Sequence, residues 1–254
     1  MNNITKIALI TGGSRGLGKD MALRIAEKGI DVVITYNSKI DDAKAVVAQI
    51  QQMGRKSAAI QLNTGVIKSF DGFTLQLQST LEKEFSSSKF DYLINNAGIG
   101  GYAPFTEVTE QMFDELLNIH YKGVFFLTQQ MISIMQDGGG IINVSSGLTR
   151  VSAVGSSAYA SMKGAIEVFT KYLAKELGPR GIKANVIAPG AVMTDFGNGH
   201  LRNDTQLQQL MSSVTALGRT AVAEDIGGAV AFLCTEDARW VNAQRIEVSG
   251  GMFI

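Results

Sequence analysis

Residues 7–18 read Ile7-Ala-Leu-Ile-Thr-Gly-Gly-Ser-Arg-Gly-Leu-Gly18. A short apolar run meets a cluster of glycines, and a stretch with helical spacing, carrying Met21, Leu23, Ile25 and Ala26, opens directly from it. The pattern predicts a buried strand, a tight turn and a helix that stops at Gly29. Glycines allow the turn to close and its backbone to approach a ligand, while the helix N-terminus presents unpaired N–H groups and positive dipole to an anion. Gly12, Gly16 and Gly18 are spaced Gly-x-x-x-Gly-x-Gly. That differs from the usual Gly-x-Gly-x-x-Gly dinucleotide fingerprint but keeps its strand–turn–helix setting. A turn of small residues is the plain alternative; the position at the first strand–helix junction favours the phosphate site.

The alternation continues along the chain. Strands are expected over 31–36, 57–62, 90–94, 140–144, 182–187 and 245–248, and helices over 41–53, 70–85, 111–135, 158–177 and 226–233. Strand and helix in steady turn imply an α/β fold, a single-domain Rossmann-type doubly wound parallel sheet with helices on both faces, spanning 1–254. No linker, repeat or low-complexity tract divides the chain. The one long irregular stretch, 191–217, is expected to form a substrate lid. Met193, Phe196, Leu201, Leu207, Leu210 and Met211 give it an apolar side. They would line a substrate pocket or pack a short lid helix on the body.

Composition removes several function classes. Lys plus Arg equals Asp plus Glu at 23 each, so no net charge argues for nucleic acid or an anionic membrane as partner. No apolar run reaches membrane-spanning length, the start lacks a signal-peptide layout, and the single Cys234 suits a reducing compartment. A cytoplasmic protein is expected. One Cys and two His, His120 and His200, supply no metal cluster, and no Gly-x-Ser-x-Gly marks a serine hydrolase.

Tyr159-Ala-Ser-Met-Lys163 places a phenol and an amine one helical turn apart, and Ser146 lies thirteen residues before the tyrosine. A tyrosine titrates near about 10 on its own, and an adjacent ammonium favours the phenolate. A serine hydroxyl brought in from a strand end would hold a substrate oxygen beside the phenol. This is equipment for moving a proton to or from an alcohol or carbonyl oxygen.

Taken together, Thr11 to Gly18, Asn95-Asn-Ala-Gly98, Ser146, Tyr159-x-x-x-Lys163 and Pro189-Gly190 stand in the order and spacing of the short-chain dehydrogenase/reductase family, which the chain resembles over nearly its whole length. The ending, Trp240 to Gly251, is similar too. The pattern is nearest to 3-oxoacyl-[acyl-carrier-protein] reductases and related sugar or steroid dehydrogenases. The resemblance implies hydride transfer between a nicotinamide dinucleotide and a small-molecule carbonyl or secondary alcohol. It makes Tyr159 the general acid/base, Ser146 the substrate-orienting hydroxyl, and Lys163 the residue that lowers the tyrosine pKa and holds the nicotinamide ribose. Gly12, Ser14, Arg15, Gly16, Leu17 and Gly18 would surround the pyrophosphate. Asn96, Ala97 and Gly98 would line the cofactor, Asn63 and Thr64 would lie near the adenine, and Pro189, Gly190 and Thr194 near the nicotinamide. Tetramers through the two long helices and the last strand are also implied. A dinucleotide-binding sensor or scaffold of the same fold is the alternative, and the intact Tyr159 and Lys163 favour an enzyme.

An acidic residue after the second strand would bind a ribose diol and repel a 2′-phosphate. Residues 35–39 read Thr-Tyr-Asn-Ser-Lys, with no acid before Asp41. Arg15 and Lys39 can neutralise a phosphate, and Asn37 and Ser38 can bond it, so NADP(H) is favoured over NAD(H). Two departures from the family stand out. Aligning on Lys122-Gly-Val-Phe puts His120 where the family carries an asparagine, as a proton relay member or a packed helix residue. Arg180 is available to an acidic carrier, but Asp137-Gly-Gly-Gly stands where acyl-carrier reductases often place a basic residue, which weakens the acyl-carrier assignment.

Overall fold

The computed structural model describes residues 5–254, so the reading of residues 1–4 as part of a leaderless start lies outside them. Seven strands form one sheet in the order β3-β2-β1-β4-β5-β6-β7. They are β1 (Ile7–Ile10), β2 (Asp31–Tyr36), β3 (Ser57–Gln61), β4 (Phe90–Asn95), β5 (Met135–Val144), β6 (Lys183–Pro189) and β7 (Arg245–Val248). Every pairing is parallel.

Side chains of a strand point alternately to its two faces, and both faces here are covered. Ala8 and Ile10 of β1 pack with α1 (Gly16–Glu27), α2 (Ile40–Gln52) and α9 (Glu224–Leu233). Ile7 and Leu9 pack on the other face with α3 (Phe70–Thr80), α5 (Gly123–Met131) and α6 (Ser157–Leu177). The strand order reverses between β1 and β4. Their carboxyl ends open a crevice there, the usual ligand position of such sheets.

Two expectations are corrected. The helix expected over 111–135 is broken into α4 (Glu110–Leu117), a π-helical turn at Asn118–Lys122, α5 and a short 3₁₀ turn at Ile132–Ile134. At the break, a side chain on Gly123 would stand 2.0 Å from the Thr64 carbonyl, so the helix crosses the β3 exit in backbone contact. The stretch 191–217 is not irregular throughout. It holds α7 (Phe196–Asn203) and α8 (Thr205–Ser213), the latter capped by Asp204, whose carboxylate accepts the Leu207 N–H at 2.9 Å. Within α7, Gly197, Asn198 and Gly199 all take left-handed backbone angles, with φ of 59°, 58° and 71°. No helix of the described residues is long and apolar enough to cross a membrane.

Candidate active site

The glycine turn leaves β1 and enters α1. Gly12 and Gly16 have φ of 66° and 53°, and a Cβ on Gly18 would lie 2.2 Å from the Gly12 carbonyl oxygen, so no side chain fits there. No described side chain caps α1, and its first turn carries no acid. The result is a concave backbone cradle at a helix N-terminus with N–H groups to offer, which fits a diphosphate. Ser14 is partly buried in the turn, and Leu17 packs its side chain on the core, leaving only its backbone toward the cradle.

Asn96 has a supporting role in this geometry. Its amide donates to the carbonyls of Thr11 at 2.9 Å and Gly12 at 3.1 Å. The Thr11 hydroxyl accepts the N–H groups of Asn96 and Ala97, both at 3.0 Å, which ties the β4 exit to the turn. Asn96 therefore shapes the cradle from behind, while Ala97 touches it directly. Asn37, Ser38 and Lys39 are exposed at the end of β2, whose Thr35 carbonyl accepts the Gly13 N–H. Arg15, also exposed, lies 3.8 Å from Asp195, which immediately precedes α7. Asn63 accepts the Gly65 N–H at 2.9 Å and borders an open groove of about 670 Å³ shared with Gln111, Asn118 and Ile119. Thr64 is buried beside it.

At the other end of the crevice, α6 carries Tyr159 and Lys163 on one face. The Lys163 ammonium donates to the Val144 carbonyl, the last of β5, at 2.7 Å and lies 5.7 Å from the centre of the Tyr159 ring. Burial lowers Lys163 to about 7. Burial also raises the Tyr159 phenol above its ordinary value, and the Ser146 hydroxyl offsets only part of that. Burial, not the lysine, sets the direction of the phenol's shift in this arrangement. The amine is bonded to a backbone carbonyl, and burial of the phenol governs its shift. Ser146 follows β5, accepts the Leu148 N–H at 3.2 Å and sets its hydroxyl in hydrogen-bonding reach of the Tyr159 phenol.

His120 sits in the π-helical turn, 1% exposed. Its Nε2 lies 2.8 Å from the Ile99 carbonyl and 3.2 Å from the Ile99 N–H, and its Nδ1 has no partner among the described residues. Burial, then the nearby Lys163 charge, lower it to about 3. Burial thus favours the neutral ring at physiological pH, and the imidazole is packed within the helix turn. Gly98 makes room for it: a Cβ there would lie 2.6 Å from the imidazole.

The stretch from Thr194 through α7 folds over this group. Phe196 approaches the Tyr159 ring at 5.9 Å, Gly197 rests on Gly100, and Thr194 lies over Gly16. Pro189 ends β6, and Gly190 packs in backbone contact with Ser249. Tyr102 covers Gly155 and was not singled out from the sequence; an aromatic in the glycine-rich exit of β4 was the available signal. Tyr102 stands 6.5 Å from the His200 ring of α7, and like Phe105 and Val154 it is exposed.

The sequence model of the family described as Enoyl-(Acyl carrier protein) reductase matches residues 12–253. A 3-oxoacyl-[acyl-carrier-protein] reductase of Staphylococcus aureus is 35% identical over 253 residues, covering 99% of both chains. A hydroxynaphthalene reductase-like protein of Metarhizium brunneum is 34% identical over 257 residues, covering 97% of this chain and 94% of its own. Among solved structures, the angucycline C-6 ketoreductase LanV with bound NADP superposes with a TM-score of 0.93 and 35% identity, over 99% of this chain and 97% of that one.

Proposed function

Since the chain belongs to the short-chain dehydrogenase/reductase family of NAD(P)-dependent oxidoreductases, we propose that it reduces a carbonyl to a secondary alcohol with NADPH, using Tyr159 as the acid. The observation that carries this reading is the convergence of Ser146, Tyr159 and Lys163 at the carboxyl end of β5, one crevice away from an uncapped helix N-terminus. The dinucleotide supplies the hydride when bound. The turn from Gly12 to Gly18 would hold its diphosphate, and Arg15, Asn37, Ser38 and Lys39 the 2′-phosphate. Asn63 and Thr64 would border the adenine. Asn96, Ala97, Gly98, Pro189, Gly190 and Thr194 would border the rest. Lys163 would hold the ribose next to the nicotinamide.

With substrate bound, Ser146 turns its hydroxyl hydrogen to the substrate oxygen. Tyr159 then delivers a proton to the same oxygen. A phenol held above its ordinary pKa is protonated at neutral pH, the form that reduction needs. Two hydroxyls converging on one oxygen favour C=O chemistry over the enoyl C=C reduction named by the family description.

An apolar, bulky ketone suits the rim of Tyr102, Phe105 and Val154 and the Phe196 side of the lid. The relatives named for a hydroxynaphthalene and an angucycline point the same way. An acyl-carrier thioester is less well served. Arg180 is bound to Asp137 at 2.7 Å and to the Ile132 and Met135 carbonyls at 2.8 Å each, so it is not on offer to an acidic carrier as the sequence suggested. Tyr121, Phe125 and Phe169 cluster between α5 and α6, with Phe126 and Tyr172 exposed beside them, and a homotetramer through this face is proposed.

The test is a panel of aromatic, steroidal and acyl-thioester ketones with NADPH and with NADH, read by cofactor absorbance. Turnover of bulky aromatic ketones with NADPH supports the reading. Tight cofactor binding without hydride transfer to any member would favour the sensor alternative.

A further inference from the structure

The loop that carries Ser146 is gripped from the far edge of the sheet. Glu167 lies one helical turn beyond Lys163 on α6. One of its carboxylate oxygens accepts the Ser145 hydroxyl at 2.7 Å, the Thr149 hydroxyl at 2.6 Å and the Arg245 Nε at 2.7 Å. Arg245, on β7, also donates to the Thr149 hydroxyl at 3.0 Å and to the Ser146 carbonyl at 3.3 Å. Arg245 is steadied in turn by Glu247 at 3.0 Å, and Glu247 is held by a two-point contact with Arg150, 2.8 Å at each bond. The side chains of Glu167 and Arg245 are only 19% and 24% exposed, so solvent competes weakly for these bonds.

We propose that the Glu167–Arg245 pair is a positioning device for Ser146, fixing the residue before it, its own carbonyl and the hydroxyl three residues after it. The proposal rests on the substrate-orienting role of Ser146 given above. A side chain that must meet a substrate oxygen needs its backbone fixed to a fraction of an ångström, and a displacement of about 1 Å costs on the order of 100-fold in rate. Glu167 also joins the Ser146 loop to the helix bearing Tyr159 and Lys163, so one carboxylate sets the distance between the two halves of the site.

A double-mutant cycle separates this role from general stability and from the role of Ser146 itself. Arg245→Met, Arg245→Lys, Ser146→Ala and Arg245→Met/Ser146→Ala are compared for kcat with a ketone the wild type reduces, KM for NADPH, and melting temperature. Arg245→Met is expected to lower kcat by about 10- to 100-fold with KM for NADPH changed less than about twofold, and Arg245→Lys to restore part of the loss. In the Ser146→Ala background the same substitution should change kcat less than about twofold. An equal loss in both backgrounds, or a loss confined to KM for NADPH, overturns the positioning role. Unchanged kcat in Ser146→Ala alone overturns the role of Ser146 and, with it, this proposal. If Arg245→Met does not fold, Glu167→Gln, which keeps length and an acceptor oxygen but loses the charge, is judged by the same outcomes.

Discussion

The rings of His120 and Tyr159 stand nearly perpendicular, at 88°, with centroids 5.1 Å apart. The residue that replaces the family's asparagine is therefore packed on the proposed acid itself. Such edge contacts are worth about 0.5–1.5 kcal/mol and hold a ring in place. An unpaired buried nitrogen, here Nδ1, costs about 1–3 kcal/mol in the other direction.

His120→Asn should leave stability near pH 7 little changed and kcat within about tenfold. The acid limb should differ. With a folded value of about 3 against 6.5, the neutral ring stabilises the fold fully above 6.5, and this is lost as pH falls toward 3. At pH 5 the wild type should have lost about 2 kcal/mol that the asparagine variant keeps. Denaturant titrations at pH 7 and 5 read the difference directly; parallel losses in both proteins would contradict it.

Lys163 titrates in the opposite window. Below about 7 it is charged in both folded and unfolded chains, and its buried charge weighs on the folded state in full. Between about 7 and 10.5 the unfolded chain keeps a proton the folded chain has released, so stability rises with pH. Lys163→Met should therefore melt higher relative to wild type at pH 6.5 than at pH 9.5, without added cofactor. A gap independent of pH would mean the amine is not desolvated as described.

Arg15 links the glycine turn to the residue before α7 through Asp195. Arg15→Ala should raise KM for NADPH by about tenfold and leave KM for NADH nearly unchanged, the size of a charge-assisted hydrogen bond at an exposed site. Asp195→Asn, which frees the guanidinium, should lower KM for NADPH. Equal effects on the two cofactors would remove Arg15 from the 2′-phosphate site.

Much of this was legible because it is local. The Gly12 to Gly18 turn is contiguous, Tyr159 and Lys163 are linked by helical spacing, and Ser146 is placed by the end of a strand. The alternation of short apolar runs with helical stretches was enough to imply the parallel sheet. What escaped depends on geometry without a compositional mark. The π-helical turn at Asn118–Lys122 changes only the hydrogen-bond ring size. α7 and α8 lie in a stretch broken by three left-handed residues. Arg180 is taken up by Asp137 across 43 positions, and Glu167 meets Arg245 across 78, distances over which sequence spacing carries no information. The direction of the Tyr159 shift depends on burial, which sequence spacing does not carry.

The most direct test of the central claim is the turnover of Tyr159→Phe with NADPH and a ketone that the wild type reduces. Removing one hydroxyl keeps the ring against His120 and Phe196, so folding and NADPH binding should persist. The account predicts a fall in kcat of about 100- to 10,000-fold, the range of a general acid. A variant that reduces the ketone within about tenfold of wild type would show that the proton comes from elsewhere.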